Sequence, residues 1–550
     1  MTGQPPDDLP PVARSSSPAG AGDASSGMPR GARRSEDSVR VAAIDIGSNS
    51  IRQIIADVSP SGAIHVVDEM KAAPRLGTGL DASGALDEGA IARAIDALDR
   101  MATLATRMRS DRVEVVATSA VRDASNRAEF LERVEEATGL RVRVLSGEEE
   151  AHLGHLSARA HFDLAGKRAV VMDIGGGSLE LALSHDGEVQ HLVSLPFGAL
   201  RLTEQWLGTG ARPRDLPGVR EFVRQALEPA LPRSHWRCGM LIGSGGTFTN
   251  LAAIHLAESG LGEAGGVHGT SVDRATLERI LNRLAAMTPK ERAQVPGLNP
   301  ARADIIVAGL AVAAEVMTRL DAPALVASGF GIREGILLES ASVREAFSGS
   351  ESTRKRSVRA LAERCRYDRR HGEQVRRLAL QLFDLLGDAL GAAPDERHAL
   401  ADAALLHDVG YLIGHQGHHK HSYHLIVHAD MLGMTPQERL IVANVARYHR
   451  GSTPRLTHEN YRVLDERSRS VVVRLSALLR LADGFDRGHV SAVDQLEVER
   501  SAEEIRIRTL PSSHDVPPRL ELWGAQRKRG LLEDVAGVKV VIEGAESSEP

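Results

Sequence analysis

Two short stretches of this chain carry residues suited to gathering phosphate and a metal ion at one place. Residues 41–58 read VAAIDIGSNSIRQIIADV and residues 169–184 read AVVMDIGGGSLELALS. Each is an apolar run ending in Asp-Ile-Gly, then small residues and a serine, then a second apolar-rich run. In Gly47-Ser48-Asn49-Ser50 and Gly175-Gly176-Gly177-Ser178 a tight turn aims several backbone N–H groups at one point, and small residues leave room for an anion. Asp45 and Asp173 would repel a phosphate unless a divalent cation lies between, which makes them candidate metal-facing carboxylates. One such turn is ordinarily just a hairpin; two in the same register ask for a shared purpose. A third small-residue turn, Gly243-Ser244-Gly245-Gly246-Thr247, opens a helix and directs its N-terminus toward an anion. The chain has no G-x-x-x-x-G-K-[ST] loop.

Two more stretches hold reactive side chains. In ATSAVRDASN (117–126), Arg122 lies in a loop just past a strand, where a guanidinium grips phosphate oxygens; a surface pair with Asp123 is the plainer alternative. In VLSGEEEAHL (144–153), Ser146 with Glu149 forms a capping box, and acids in a first turn suit the helix dipole. That explanation covers Glu149 and partly Glu148. It leaves Glu150, which from its position alone is equally a structural residue or a general base.

The elements that must position these groups alternate between strand and helix signals from Arg40 to about Glu339. Strands are expected at Val41–Ile44, Ile51–Val58 and Ile64–Asp68, then at Val113–Ala117 and Val142–Leu145, with helices over Glu88–Met108 and Ala128–Thr138. The cycle restarts with strands at Ala169–Met172, Leu179–Leu183 and Val189–Val193, followed by Met240–Gly243 and Leu325–Ser328. A meander followed by αβ units, occurring twice, is the mark of a duplicated α/β domain. Glu351–Lys355 reads as a boundary. Helical periodicity runs from Ser357 to about Arg487, and strands return at Leu496–Glu499, Glu504–Leu510 and Val538–Ile542.

Bulk properties narrow the class. At 550 residues the chain needs several cores, and a net charge of −6 argues against a general nucleic-acid binder. Cys238 and Cys365 have no metal or redox spacing, which fits a reducing cytoplasm. Residues 1–39 are rich in Pro, Ser, Gly and Ala and are expected to be a disordered tail without a signal sequence. The longest apolar run, Ile305 to Ala314, is ten residues, too short to span a bilayer, so no membrane partner is expected.

The motifs AIDIGSNS, VATSAVRDASN, LSGEEEA, VMDIGGGSLE and GSGGT, in this order, resemble the exopolyphosphatase/guanosine pentaphosphate phosphatase (Ppx/GppA) family over roughly residues 40–545. The resemblance implies an α/β fold of duplicated actin-like ATPase (ribonuclease H-like) lobes at 40–160 and 161–345. An all-helical HD-like domain at 352–490 and a small αβ domain at 491–545 would follow. It implies Mg²⁺-assisted release of the terminal phosphate of inorganic polyphosphate, guanosine pentaphosphate, or both, by a homodimer. Glu150 matches the catalytic glutamate that activates water, and Arg122 the phosphate-binding arginine. Asp173 and Glu180 match the residues associated with Mg²⁺. Asp45, Gly47, Ser48 and Asn49 match the first phosphate hairpin, and Gly175, Gly176, Gly177 and Ser178 the second, with Gly245, Gly246 and Thr247 in the third turn. In register, Arg52 takes in the first copy the place of Glu180 in the second, so the second loop is the better candidate for metal chemistry and the first mainly a clamp. A sugar-kinase-like phosphotransferase and a non-catalytic alarmone-binding regulator are the competing classes.

In the helical region His371, His407-Asp408 and Asp483 follow the H…HD…D order and resemble the HD phosphohydrolase superfamily, which implies a divalent transition-metal site. In long family members such a domain is instead degenerate, serving dimerisation and polyphosphate binding. His421, His424 and His449 are near enough in sequence to be further ligands. His415, His418 and His419 read as a solvated loop. Arg354, Lys355, Arg356, Arg366, Arg369, Arg370, Arg376 and Arg377 concentrate positive charge after the lobes, either as a polyphosphate channel or as a solvated helix face.

Overall fold

In the first lobe the apolar run before Gly47 becomes the centre of a sheet because it is covered on both sides. The computed structural model describes residues 38–60, 62–208, 213–261, 266–341, 353–429, 431–512 and 518–544. Residues 1–37 of the expected tail lie outside the described residues, and Val39 already belongs to a strand. The strands are β1 (Val39–Ile46), β2 (Ile51–Val58), β3 (Ile64–Ala72), β4 (Arg112–Ala117) and β5 (Val142–Val144), in the order β3-β2-β1-β4-β5. The first three form an antiparallel meander, and β4 and β5 run parallel to β1. Val41, Ala42, Ala43 and Ile44 are fully buried, as expected for a central strand covered on both faces. Helix Glu88–Arg107, capped by Asp87, lays Ile91, Ala94, Leu98 and Met101 on one face. On the other face Leu153, Ile336, Leu337 and Leu338 pack against Val41, Ala43, Ile54 and Val116.

The second lobe repeats the plan. Its strands β6 (Arg168–Ile174), β7 (Leu179–His185), β8 (Glu188–Leu195), β9 (Met240–Ser244), β10 (Ser271–Asp273) and β11 (Ala324–Ala327) form a sheet of order β10-β11-β9-β6-β7-β8. Read from β8, the order and directions of β8-β7-β6-β9-β11 match those of the first lobe, the duplicated ribonuclease H-like plan of actin-like folds. The antiparallel edge strand β10 has no counterpart among the described residues of the first lobe; its three residues are too few to show a period. The ten-residue apolar run lies mostly in helix Ile306–Arg319, apolar nearly all round because it sits inside this lobe's core. Among the described residues no helix is long and apolar enough to cross a membrane. Helix Ile332–Ser340 follows β11 in sequence but covers the first lobe's sheet, where its Ile336 and Leu337 close the face left open by β1. Sequence position and spatial membership therefore part at the end of the second lobe.

Beyond residue 353, helices Arg369–Leu386, Glu396–Leu406, His418–Val427, Pro436–Arg447 and Glu466–Gly484 share one core with a final sheet. That sheet is β12 (Val493–Arg500), β13 (Glu504–Pro511) and β14 (Lys539–Gly544). Its Val493, Ile505, Ile507 and Val540 belong to the same apolar cluster as Leu378 and Leu478. The change from helix to strand near residue 490 is thus not a change of core. Part of the basic concentration is engaged locally. Arg354 bonds Asp402 at 2.6 Å and Glu438 at 2.7 Å, Arg376 bonds Glu373 at 2.7 Å, and Arg370 donates to the Val490 carbonyl at 2.7 Å.

Candidate active site

The two repeated turns close identically. Gly47 N donates to Ser50 O at 3.2 Å and Gly175 N to Ser178 O at 3.0 Å. The strand register sets Asp45 opposite Arg52, and Asp173 opposite Glu180. Both turns face one cleft between the lobes, with the Gly245-Gly246 turn and the Ser328–Arg333 loop on its remaining sides. The turns also touch each other. A Cβ on Gly176 would stand 2.9 Å from the Ser48 Cβ, and one on Gly177 would stand 2.3 Å from the Ser119 Oγ. These two glycines permit loop-on-loop contact, and Gly177 does not line the cleft. Thr247 is likewise withdrawn: it is fully buried against Gly309, and Thr249 lines the cleft instead. Gly245 has φ 87°, and a side chain there would collide with Asp173.

Helix Gly147–His161 carries the candidate base. Its capping box is present, with Ser146 N donating to Glu149 Oε2 at 2.7 Å and Glu149 N to Ser146 Oγ at 3.2 Å. Glu148 and Glu149 face solvent, whereas Glu150 is 8% exposed and lines the cleft. Arg122 lies in the short helix Ser119–Asp123, where a loop was expected. It binds Glu150 directly, donates to the Leu145 carbonyl at 2.9 Å, and stands 3.6 Å from Asp123. It sits behind the glutamate and is not a wall of the cleft.

The cleft concentrates buried charge. Asp45, Glu150, Asp173 and Glu180 line it with Arg52, Arg302 and Arg333. Burial pushes Asp45 up to about 6 and Glu180 up to about 8, and raises Asp173. Glu150 is also held well above the usual carboxylate range, by burial and by the charge of Glu180. Carboxylates in this condition are short of positive charge. Asp45 Oδ1 is buried and accepts no hydrogen bond among the described residues. Asp173 accepts from Ser244 Oγ at 2.6 Å, and Glu180 from Ser194 Oγ at 3.1 Å. An all-oxygen donor set of this kind fits a hard dication such as Mg²⁺.

Arg302 and Arg333 were not singled out from the sequence. Arg302 rests on Gly246, whose missing side chain leaves room for the guanidinium: a Cβ there would lie 2.0 Å from Cζ. Burial and the neighbouring Arg52 lower its pKa to about 10. No local pattern marks it. Arg333 had a signal, since SGFGIRE (328–334) is a glycine-rich strand-to-helix turn like that at residues 243–247.

In the helical region His371, His407, Asp408 and Asp483 come together, and His449 joins them. His421 is half-buried and His424 exposed, and neither belongs to the cluster. His418 corrects the expectation of a solvated loop. It is 1% exposed with its Nε2 3.1 Å from Asp408 Oδ1, because it opens helix His418–Val427 on the inward face while His415 stays outside.

Comparison with known proteins bears on this arrangement. A sequence model of the Ppx/GppA phosphatase family matches residues 54–343, and one of Ppx/GppA phosphatase domain III matches residues 353–517. The chain is 29% identical over 446 residues to the guanosine-5'-triphosphate,3'-diphosphate pyrophosphatase of Vibrio vulnificus, covering 80% of this chain and 86% of that one. It is 37% identical over 313 residues to exopolyphosphatase 2 of Mycobacterium tuberculosis, covering 54% of this chain and 98% of the other. A crystal structure of an exopolyphosphatase from Cytophaga hutchinsonii is 26% identical with a TM-score of 0.52, over 56% of this chain and 99% of that one. With more than half its length in the first match and the third domain in the second, the chain belongs to the Ppx/GppA phosphatase family.

Proposed function

We propose that the inter-lobe cleft hydrolyses the terminal phosphoanhydride of inorganic polyphosphate, of guanosine pentaphosphate, or of both, using water activated by Glu150. The observation that carries this reading is the burial of Glu150 in the same cleft as both phosphate-type turns. A carboxylate whose proton affinity is raised by burial is a better base than one in water. Arg122 holds it in one orientation and restrains that rise.

The rest of the cleft holds and neutralises. Backbone N–H groups of the two hairpins and the guanidiniums of Arg52, Arg302 and Arg333 would bind the terminal phosphate oxygens. Asp173 and Glu180 would hold Mg²⁺, with the unpartnered Asp45 oxygen facing the same space. The ion would supply charge neutralisation on the transferred group, which is most of what this reaction requires. Arg52 opposite Asp45 makes the first hairpin a clamp, and Glu180 opposite Asp173 gives the second the metal. Relatives bearing the names of both activities make both substrates candidates. The guanosine reading draws on the longer alignment, which takes in the helical domain.

The test is phosphate release from long polyphosphate and from guanosine pentaphosphate with Mg²⁺, for the natural chain and for Glu150→Gln. The variant is expected to bind substrate and turn it over on the order of 10²–10⁴-fold more slowly. Near-normal turnover in the variant, phosphate transfer to a sugar, or binding without release by the natural chain would each overturn the proposal.

A further inference from the structure

Arg122 and Asp123 are neighbours in sequence, and the simplest arrangement of such a pair is with each other. The structure keeps them apart. Arg122 Nη1 binds Glu150 and donates to the Leu145 carbonyl at 2.9 Å, while its Nε stands 3.6 Å from Asp123 Oδ1. That gap exceeds the about 2.7–3.2 Å of an N–H···O hydrogen bond. Asp123 turns instead to the other lobe, where its Oδ2 accepts from Arg201 Nη2 at 2.8 Å. The stronger contact of each residue is therefore with a third group, and the two neighbours meet only loosely.

Arg201 is built to hold that carboxylate. It lies in the short helix Ala199–Leu202, and its side chain is 12% exposed. The guanidinium spans two carboxylates of the first lobe, with Nε 3.0 Å from Asp81 Oδ1 and Nη2 on Asp123. Partly buried pairs of this kind escape most of the screening that weakens exposed ones. Asp81 also accepts from Gln205 Nε2 at 2.7 Å, a second tie between the lobes. The backbone under Arg201 is fixed to the second hairpin: Ala199 N donates to Gly175 O at 3.0 Å, and Leu200 N and Arg201 N donate to Gly176 O at 2.9 and 3.1 Å. Arg201 lines the dent behind the cleft floor and not the cleft itself. Any effect it has on turnover must pass through its neighbours.

We propose that Arg201 is a positioning residue of the hydrolysis, which occupies Asp123 and so leaves Arg122 to Glu150. The inference rests on the reading of Glu150 as the base. Without Arg201, the remaining ion contact of Asp123 among the described residues is Arg122. A charge-assisted bond between those two would draw the guanidinium off the glutamate. A base left without its fixed partner loses the geometry on which its rate depends. Arg201 comes from the second lobe and is tied to Gly176, so the arrangement holds only while the second hairpin is seated against the first lobe. One contact then both completes the phosphate site and sets the base.

The test is steady-state phosphate release by the full chain with Mg²⁺, from polyphosphate and from guanosine pentaphosphate. Arg201→Met should lower kcat on the order of tenfold or more while KM changes less. Adding Asp123→Asn should recover most of that loss, because the competing charge is gone; a role limited to holding the lobes together would give a deeper loss instead. Arg201→Lys, whose single ammonium cannot serve Asp81 and Asp123 together, should show a smaller loss relieved in the same way. Thermal melts identify a variant that has lost its fold, and if Arg201→Met does not fold, Arg201→Lys decides by the same criteria. An unchanged kcat in the folded variant, a loss confined to KM, or a loss that Asp123→Asn does not relieve overturns the proposal. Slow Glu150→Gln beside normal Arg201→Met strikes this inference alone, whereas near-normal Glu150→Gln overturns the reading of the base and this inference with it.

Discussion

Gly246→Ala should remove the proposed substrate contact of Arg302 without substituting Arg302 itself. The new methyl carbon would lie 2.0 Å from Arg302 Cζ and 2.1 Å from Nη2. Carbon atoms in contact keep about 3.5–4.0 Å, so the guanidinium must withdraw by roughly 1.5 Å or more. The side chain is flexible at that end, and Gly246 has no positive φ, so the fold should hold. Arg302 would lose its approach to Asp173 and to the phosphate. A hydrogen bond to a charged group contributes about 1.5–3 kcal/mol. At about 1.4 kcal/mol per tenfold, that is on the order of 10- to 100-fold in affinity. Steady-state phosphate release should show KM rising by that factor, kcat changing far less, and Tm not falling. Arg302→Met should give the same loss, and the double variant should be no worse than either, since both remove one interaction. Additive losses, or an unchanged KM in Gly246→Ala, would refute the placement of Arg302 at the substrate.

Three other outcomes follow from the same geometry. Arg122→Ala removes the charge that draws Glu150 downward, so the acid limb of the pH–rate profile should move to higher pH as kcat falls; an unmoved limb would separate Glu150 from the rate. Asp173→Asn keeps a group for Ser244 to bond but loses the charge, so the Mg²⁺ concentration for half-maximal turnover should rise about tenfold or more. Buried His161 stacks on Phe330 at 3.7 Å and has its pKa lowered to about 4 by burial. Its folded pKa lies below the unfolded value of 6.5, so the unfolded chain takes the proton first and stability is lost as pH falls from 6.5 toward about 4. That loss is on the order of 3 kcal/mol, and His161→Phe should shrink the acid-induced fall in Tm between those limits by that share, with His155 and His268 keeping theirs.

The repeated hairpins were legible because they combine two local signals, strand ends and small-residue turns, at a matching register. The Asp45–Arg52 and Asp173–Glu180 contrast followed from that alignment alone and became cross-strand pairs. The capping box accounts for Glu149 but leaves Glu150 open between structure and chemistry; the family resemblance singled it out, and the structure turns it inward. Arg302 escaped notice because nothing near it in sequence requires a glycine; the glycine that admits it, Gly246, belongs to another element. His418 was hidden by its company. Histidines at 415, 418 and 419 look alike in a row, and only the phase of the following helix turns one of them inward. The crossing of helix Ile332–Ser340 onto the first lobe depends on which apolar face is left uncovered, a property of the whole fold.

The contact between Gly176 and Gly177 of one hairpin and Ser48 and Ser119 of the other lobe gives the cleft a floor. Ser48 and Gly176 line the cleft on one side of this contact and only a narrow dent on the other. For the proposed linear polyanion this contact would act as a stop, favouring entry by the tip over passage of the chain between the two turns. The unit nearest the floor is the one presented to both hairpins. A preference for termini over internal linkages would then be a matter of architecture, built in by two loops too close together to let a strand pass.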